Sequence, residues 1–368
     1  MTRSRPVASK RLAKSAAGKR KDRAPKRPIF QSLSHPPKSS DAYLWCDYIE
    51  IRCLVHPDRK FSRSNLIECV DELAALDIRP DASLGDDSEA LDEEAELDAE
   101  EQDDDGDDEV LPDGDRKEAW AAGLFGRLEV RAKVFGDAYP FALAPGAQEI
   151  RFKNPGSGAQ SLYVQLLLSA CLRLIEKSRR HELTEDFERI AESIFKGLMP
   201  AGWEVHQFGA KASTRYSGHL FKRLTKLAED WRGTLRLQRR HFKTRNSGDG
   251  GLDLVAWHPL GSDGRVGIPI AAAQCGCTAE EWSLKQLEAS PSKLNIEVQH
   301  KWATYYFMPQ DLIEAVAEGY DWQRRPDIAA SIVIDRLRII RLAVQFGADL
   351  NYRVLSPAAS EACAFKLV

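Results

Sequence analysis

The chain has 368 residues and 43% apolar content, enough for two ordinary cores, and no apolar run reaches the roughly 18–20 residues of a membrane span. Its net charge of −4 conceals two opposite regions: residues 1–38 carry twelve Lys/Arg against one acid, Asp22, and residues 85–115 carry eighteen Asp/Glu and no base. Seven cysteines without disulfide-like spacing, and a basic N-terminus with no apolar stretch behind it, argue against an exported disulfide protein and for a cytoplasmic one.

Residues 1–40 read as a basic disordered tail. Two readings stand for it: an arm that contacts phosphates without sequence preference, or a solubilising tail. Residues 41–180 read as a smaller α+β module. Within it Tyr43 to Val55 shows strand-like alternation, and Ser64 is placed to cap a helix with Leu66, Ile67, Val70, Leu73 and Ala74 on one face. The acidic block 85–115 cannot pack and reads as a disordered insertion, or else as a mimic of DNA that shields a basic groove. Leu124 to Phe135 alternates as a half-buried strand, and Gln160 to Arg179 is apolar on nearly every side, as a helix buried between modules would be.

A boundary near residue 180 leaves 181–368 as a second domain. Thr184 is placed to cap a helix over 184–199 with Phe187, Ile190, Ala191, Ile194, Phe195 and Leu198 inward. A second amphipathic helix runs from about Tyr216 to Arg232, and its outer side and sequel carry Lys222, Arg223, Lys226, Arg232, Arg236, Arg239, Arg240, Lys243 and Arg245. These cations are either a solvated face or a phosphate-contacting one. Near the C-terminus a helix is expected from about Asp327, with Asp335 and Arg338 pairing with each other.

The segment that follows the basic run carries most of the chemistry. Gly248-Asp249-Gly250-Gly251-Leu252-Asp253 is a glycine-rich acidic turn that feeds the apolar strand Leu254 to Trp257. A second apolar strand, Ile268 to Cys275, bears one polar residue, Gln274. Asp263-Gly264 between them is a two-residue hairpin signal, and closing it there sets Asp253 opposite Gln274. Facing residues of an antiparallel pair project to one side of the sheet, so a carboxylate and an amide oxygen lie together as part of a hard-metal site. Pro259 and Pro269 demand an edge or a bulge. Cys275, Cys277 and His258 lack the two-residue cysteine gap and the fourth ligand that zinc prefers.

The GDGGLD turn-strand followed by a strand with a lone Gln resembles the PD-(D/E)xK nuclease superfamily, and within it the Mrr-like restriction endonucleases, over roughly residues 183–290. The resemblance implies an α/β (α+β) fold, a restriction-endonuclease-like core of mixed sheet flanked by helices behind the smaller N-terminal module. It implies a Mg²⁺- or Mn²⁺-dependent endonuclease that hydrolyses DNA, with a role in bacterial restriction or anti-phage defence and a partner protein from such a system. Asp253 matches the metal-binding aspartate and Gln274 the second-strand ligand. Glu188, with Glu192 second, matches the glutamate of the preceding helix, while Asp249 is first a turn-former and then a ligand. Arg236, Arg239, Arg240, Lys243 and Arg245 would contact the nucleic acid.

The motif lysine is missing, since position 276 is Gly. Thr278 and Glu281 form a capping-box pattern for a helix from about Ala279, from which Lys285 could reach the open corner; Lys293 and Lys301 are further candidates. The alternative is a catalytically inactive subunit of nuclease fold that binds DNA or protein.

Overall fold

The computed structural model describes residues 28–31, 33–37, 39–75, 114–209, 215–242, 250–279, 281–328, 331–347 and 355–367. Residues 1–27, most of the acidic block, Lys243, Arg245 and Asp249 lie outside them.

The first element is a helix, α1 (Ala42–Val55), where alternation suggested a strand. From Tyr43 to Val55 every residue but Arg52 is buried. A helix enclosed on all sides has no polar face, so its apolar positions carry no 3.6-residue signal. After β1 (Lys60–Ser62), α2 (Arg63–Ala75) buries Leu66 and Val70 as expected, but the cap is Ser62, whose hydroxyl accepts from Asn65 N–H at 3.2 Å. The expected strand over 124–135 is the second half of α3 (Gly114–Phe135). Leu124, Leu128, Arg131 and Phe135 are buried at intervals of four, three and four, the helical spacing, and the buried Arg131 breaks the apolar pattern that would have revealed it.

Strands β2 (Phe141–Leu143) and β3 (Glu149–Phe152) join β1 in an antiparallel sheet ordered β1-β3-β2. The enclosed helix then forms as α4 (Gly158–Ala170), which stops short of the expected end. A turn over 171–175 leads into α5 (Lys177–Leu198), capped by the Glu176 carboxylate, so Thr184 lies within the helix and bonds back to His181 O at 3.1 Å. Position 180 thus falls inside α5. One buried cluster runs from Ile29 to Ala362 through α1, α3, α4 and α5, so both parts of the chain share a core.

The rest of the chain forms β4 (Glu204–Gln207), α6 (Leu220–Asp230), β5 (Thr234–Leu235), β6 (Leu254–Trp257), β7 (Ile270–Cys275), α7 (Trp282–Lys285), α8 (Pro291–Leu294), β8 (Ile296–Glu297) and β9 (Ala303–Phe307). Then come β10 (Ile313–Val316), β11 (Gly319–Trp322), β12 (Ile332–Ile334), α9 (Arg336–Phe346) and α10 (Pro357–Ala364). The expected helix from Asp327 therefore begins only at Arg336, after a strand. Asp335 caps it by accepting from the Arg338 backbone N–H at 3.0 Å rather than by pairing with the Arg338 side chain.

The result is a mixed α/β architecture. Its central sheet has the order β12-β9-β7-β6-β4, with β4, β6 and β7 antiparallel and β7, β9 and β12 parallel. Leu254, Ala256, Ala271 and Ala273 face the core formed with α4, α5 and α9, whereas Val255, Trp257, Ile270 and Ala272 face α6. Among the described residues no helix is long and apolar enough to cross a membrane.

A buried ion network joins the two parts of the chain. Arg131 on α3 donates to Asp47 Oδ1 at 2.8 Å, Glu50 Oε1 at 2.9 Å and Asp311 Oδ2 at 2.7 Å. Arg336 on α9 grips both Asp47 oxygens, at 3.0 and 2.8 Å. Tyr139 and Tyr163 donate to Glu50 at 2.8 and 2.9 Å. Burial raises the Glu50 and Asp311 carboxyls above their ordinary range, against the pull of Arg131.

Candidate metal centre at the ends of β6 and β7

Strand β6 lies inside the sheet between β4 and β7, and its neighbours fix the residue just before it. Asp253 N–H donates to Ala273 O at 3.1 Å and its carbonyl accepts from Phe208 N–H at 2.7 Å. The β6–β7 register runs from Leu254 opposite Ala273 to Trp257 opposite Ile270, with Asp253 just before the first paired residue of β6 and Gln274 just after the last of β7. The connection itself is longer than a two-residue turn: beyond His258 and Pro269, which still bond at 3.1 Å, it loops through a short 3-10 turn over 260–262. Pro269 fits because its carbonyl accepts and no N–H is required of it.

The Asp253 side chain is half-buried, and its Oδ2 accepts from Cys275 N–H at 2.6 Å. Gln274 is 5% exposed; its Nε2 donates to Glu288 Oε2 at 2.6 Å, and its Oε1 is buried without a partner. Glu288, not foreseen from sequence, completes the cluster. It lies one turn beyond α7, with its N–H on Lys285 O at 3.1 Å.

Two glycines shape this cluster from the outside. Gly251 has φ +74°, and a Cβ on it would stand 2.6 Å from Glu288 Oε2. Both conformation and space therefore demand glycine at the GDGG turn. Gly209 approaches Asp253, with 3.8 Å from its would-be Cβ to Oδ1.

Gly276 was expected to leave a corner open. That corner is filled: a Cβ there would overlap the Tyr306 hydroxyl and stand 2.8 Å from its Cζ. Tyr306 is the β9 residue paired with Gln274, so both side chains project to one side of the sheet. Its hydroxyl is buried without a partner.

Lys285 is half-buried at the end of α7, three residues before Glu288 and hence on the same face of that turn. The capping box expected from Thr278 and Glu281 does not form: α7 begins at Trp282 with no side-chain cap, and Thr278 is buried. Glu188 is half-buried on α5, the helix covering the sheet face opposite to Asp253 and Gln274. Glu192 is committed to Gln207 Nε2, at 2.7 Å, and to Lys196. Asp249 lies outside the described residues.

The basic run is thinner than its sequence suggests. Arg223 points inward, almost fully buried, and donates to Phe208 O at 3.0 Å. Arg236 is exposed and pairs with Glu297, Arg232 pairs with Asp263 at 3.1 Å, and Lys226 pairs with Asp230 at 3.0 Å. Arg239 and Arg240 stay exposed on a short turn, with no ion pair among the described residues; Lys243 and Arg245 lie outside them.

Chemically the cluster offers two carboxylates and an amide oxygen, the hard donor set that Mg²⁺ and Mn²⁺ accept alongside water. Gln274 Oε1 is the atom that a cation would satisfy. Among the described residues there is no group of three or more His, Cys, Asp or Glu disposed around a metal. Cys275 packs toward the main core, and His258 Nδ1 accepts from Leu260 N–H at 3.0 Å, as a structural side chain does. No family model matches the chain, and neither a curated protein nor a solved structure matches it.

Proposed function

We propose that the chain is a metal-dependent nuclease with a restriction-endonuclease-like core, which hydrolyses DNA phosphodiester bonds in bacterial restriction or anti-phage defence. The observation that carries this reading is the buried, unpartnered Gln274 Oε1 beside the Asp253 and Glu288 carboxylates, behind the GDGG turn. The mixed sheet flanked by helices agrees with the architecture that the sequence resemblance implies.

Asp253, Gln274 Oε1 and Glu288 would hold Mg²⁺ or Mn²⁺, with Asp249 as a further ligand; Glu188, on the helix that covers the other face of the sheet, would not. The ion, when bound, supplies Lewis-acid stabilisation of charge on the phosphoryl oxygens and favours ionisation of water. The chain's own groups do the rest. Asp253 and Glu288 orient the water and take one of its protons. The water oxygen bonds to phosphorus as the bond from phosphorus to the leaving oxygen breaks, and that oxygen departs with a proton from solvent. Lys285, on the turn that carries Glu288, stabilises the added charge on the phosphate. Arg239 and Arg240 contact flanking phosphates, with Arg236, Lys243 and Arg245 in the same run.

A second reading, an inactive subunit that binds DNA or a partner protein, is favoured by one observation: the corner at Gly276 holds a neutral hydroxyl instead of a lysine. Plasmid cleavage in Mg²⁺ or Mn²⁺ tests both. Nicking that disappears with EDTA and in Asp253→Ala, while DNA binding persists, is the expected result. DNA binding without cleavage by the wild-type chain would transfer the assignment to the second reading.

A further inference from the structure

Gln274 Oε1 and the Tyr306 hydroxyl are a buried acceptor and a buried donor on paired residues of adjacent strands, and neither has a partner. Leaving such groups unmatched costs about 1–3 kcal/mol each, so a fold that keeps two of them side by side uses them for something outside its own hydrogen-bond network. The Tyr306 ring is locked among Trp282, Met308 and Leu312, which fixes the direction in which its oxygen points. That direction is the place a side chain at position 276 would occupy. Glycine at 276 and tyrosine at 306 are therefore sterically coupled: any larger residue at 276 would displace the hydroxyl.

We propose that Tyr306 is a positioning residue, whose hydroxyl enters from β9 the corner vacated at Gly276 and donates to the oxygen that Asp253 and Gln274 hold above it. The inference rests on the nuclease reading. Burial lifts the phenol well above its ordinary range, with Cys277, Glu288, Cys275 and Asp253 adding to the effect, so the group remains a proton donor at any working pH. The hydroxyl is neutral where a lysine would be cationic. It orients an oxygen and stabilises its ionised form without adding charge, which leaves charge compensation to Lys285 and the ion.

The test compares the wild-type chain and Tyr306→Phe, with Asp253→Ala as the inactive reference. Melting of the metal-free protein, Mn²⁺ affinity by calorimetry, kcat, KM and the pH–rate profile are measured for each. Tyr306→Phe should melt at or above the wild-type temperature, because it removes an unmatched buried donor, and should bind Mn²⁺ within threefold of wild type. Its kcat should fall at least tenfold with KM within twofold, and the rising limb of its pH profile should move to higher pH.

A wild-type kcat and pH limb in Tyr306→Phe would overturn the assignment. So would a melting temperature lowered by several degrees together with lost Mn²⁺ affinity, which would make the hydroxyl a structural group. A wild-type chain no more active than Asp253→Ala would instead overturn the nuclease reading, and this inference with it.

Discussion

The ion network between α1, α3 and α9 and the cluster at the ends of β6 and β7 are built from similar groups, carboxylates and tyrosine hydroxyls, yet they differ in which polar atoms are left without a partner. In the network each buried carboxylate meets a guanidinium: Asp47 is held by Arg131 and Arg336, Glu50 by Arg131 and two tyrosines, and Asp311 by Arg131. In the cluster, Glu288 is bonded to a neutral amide, Asp253 to a backbone N–H, and one acceptor and one donor are left over. A buried charge that finds its counter-charge inside the chain is a structural element. The network also keeps one unpartnered atom, Asp311 Oδ1, but that carboxylate holds Arg131 through Oδ2, whereas the unpartnered atoms of the cluster belong to two neutral groups on paired residues.

The contrast can be broken at either end. Arg131→Met should have the largest effect, because it strips three buried carboxylates of a shared partner. We expect a loss of about 3–5 kcal/mol in urea unfolding, and a loss below about 1 kcal/mol would mean that this network does not hold the two parts together.

Asp335 comes next. Burial, with the nearby Asp311 charge, pushes its carboxyl up to about 7. The folded chain thus holds this proton more tightly than the unfolded one, so the contribution is fully present in acid below the ordinary carboxylate range and is lost as pH rises through about 7. Asp335→Asn preserves the α9 cap and removes the titration. It should flatten the decline in stability between about pH 4 and pH 7 and exceed wild type by about 2 kcal/mol at pH 8. An unchanged profile would show that Asp335 does not titrate in that window.

At the other end, Glu288→Gln keeps an acceptor for Gln274 but removes a charge. Calorimetry should report a tenfold or greater loss of Mn²⁺ affinity, about 1.4 kcal/mol, with no drop in the melting temperature of the metal-free chain. A destabilised variant with intact Mn²⁺ affinity would place Glu288 with the structural carboxylates. The smallest effect is expected from Arg239→Ala/Arg240→Ala, with DNA affinity lowered less than tenfold and the slope of log affinity against log salt reduced by about 2. An unchanged slope would remove these arginines from the DNA surface.

How far the site could be read in advance follows from the range of its contacts. The α5 and α6 faces were visible because Phe187, Ala191, Ile194 and Leu220, Leu224, Leu227 recur at helical spacing beside a solvated face. The β6–β7 register was visible because a hairpin register depends on a single midpoint, and the loop closes symmetrically about the Asp263-Gly264 step even though it is not a tight turn. Glu288 and Tyr306 were not visible. Glu288 reaches Gln274 only after the chain has turned through α7, and Tyr306 becomes a neighbour only through the parallel β7–β9 pairing. Helices α1 and α3 were misread for a related reason: Asp47, Glu50 and Arg131 look like surface residues until their partners, which lie 81 or more positions away in the chain, are known.

By itself, then, the sequence determined what local pattern can encode: the amphipathic helices, the GDGG turn, and the antiparallel strand pair whose ends carry Asp253 and Gln274. Only the tertiary structure decided which charged residues are interior, which hydroxyl fills the corner at Gly276, and which carboxylate joins the pair. Those outcomes depend on segments brought together by the shared core, and the burial energy that selects them belongs to the assembled fold and not to any window of sequence.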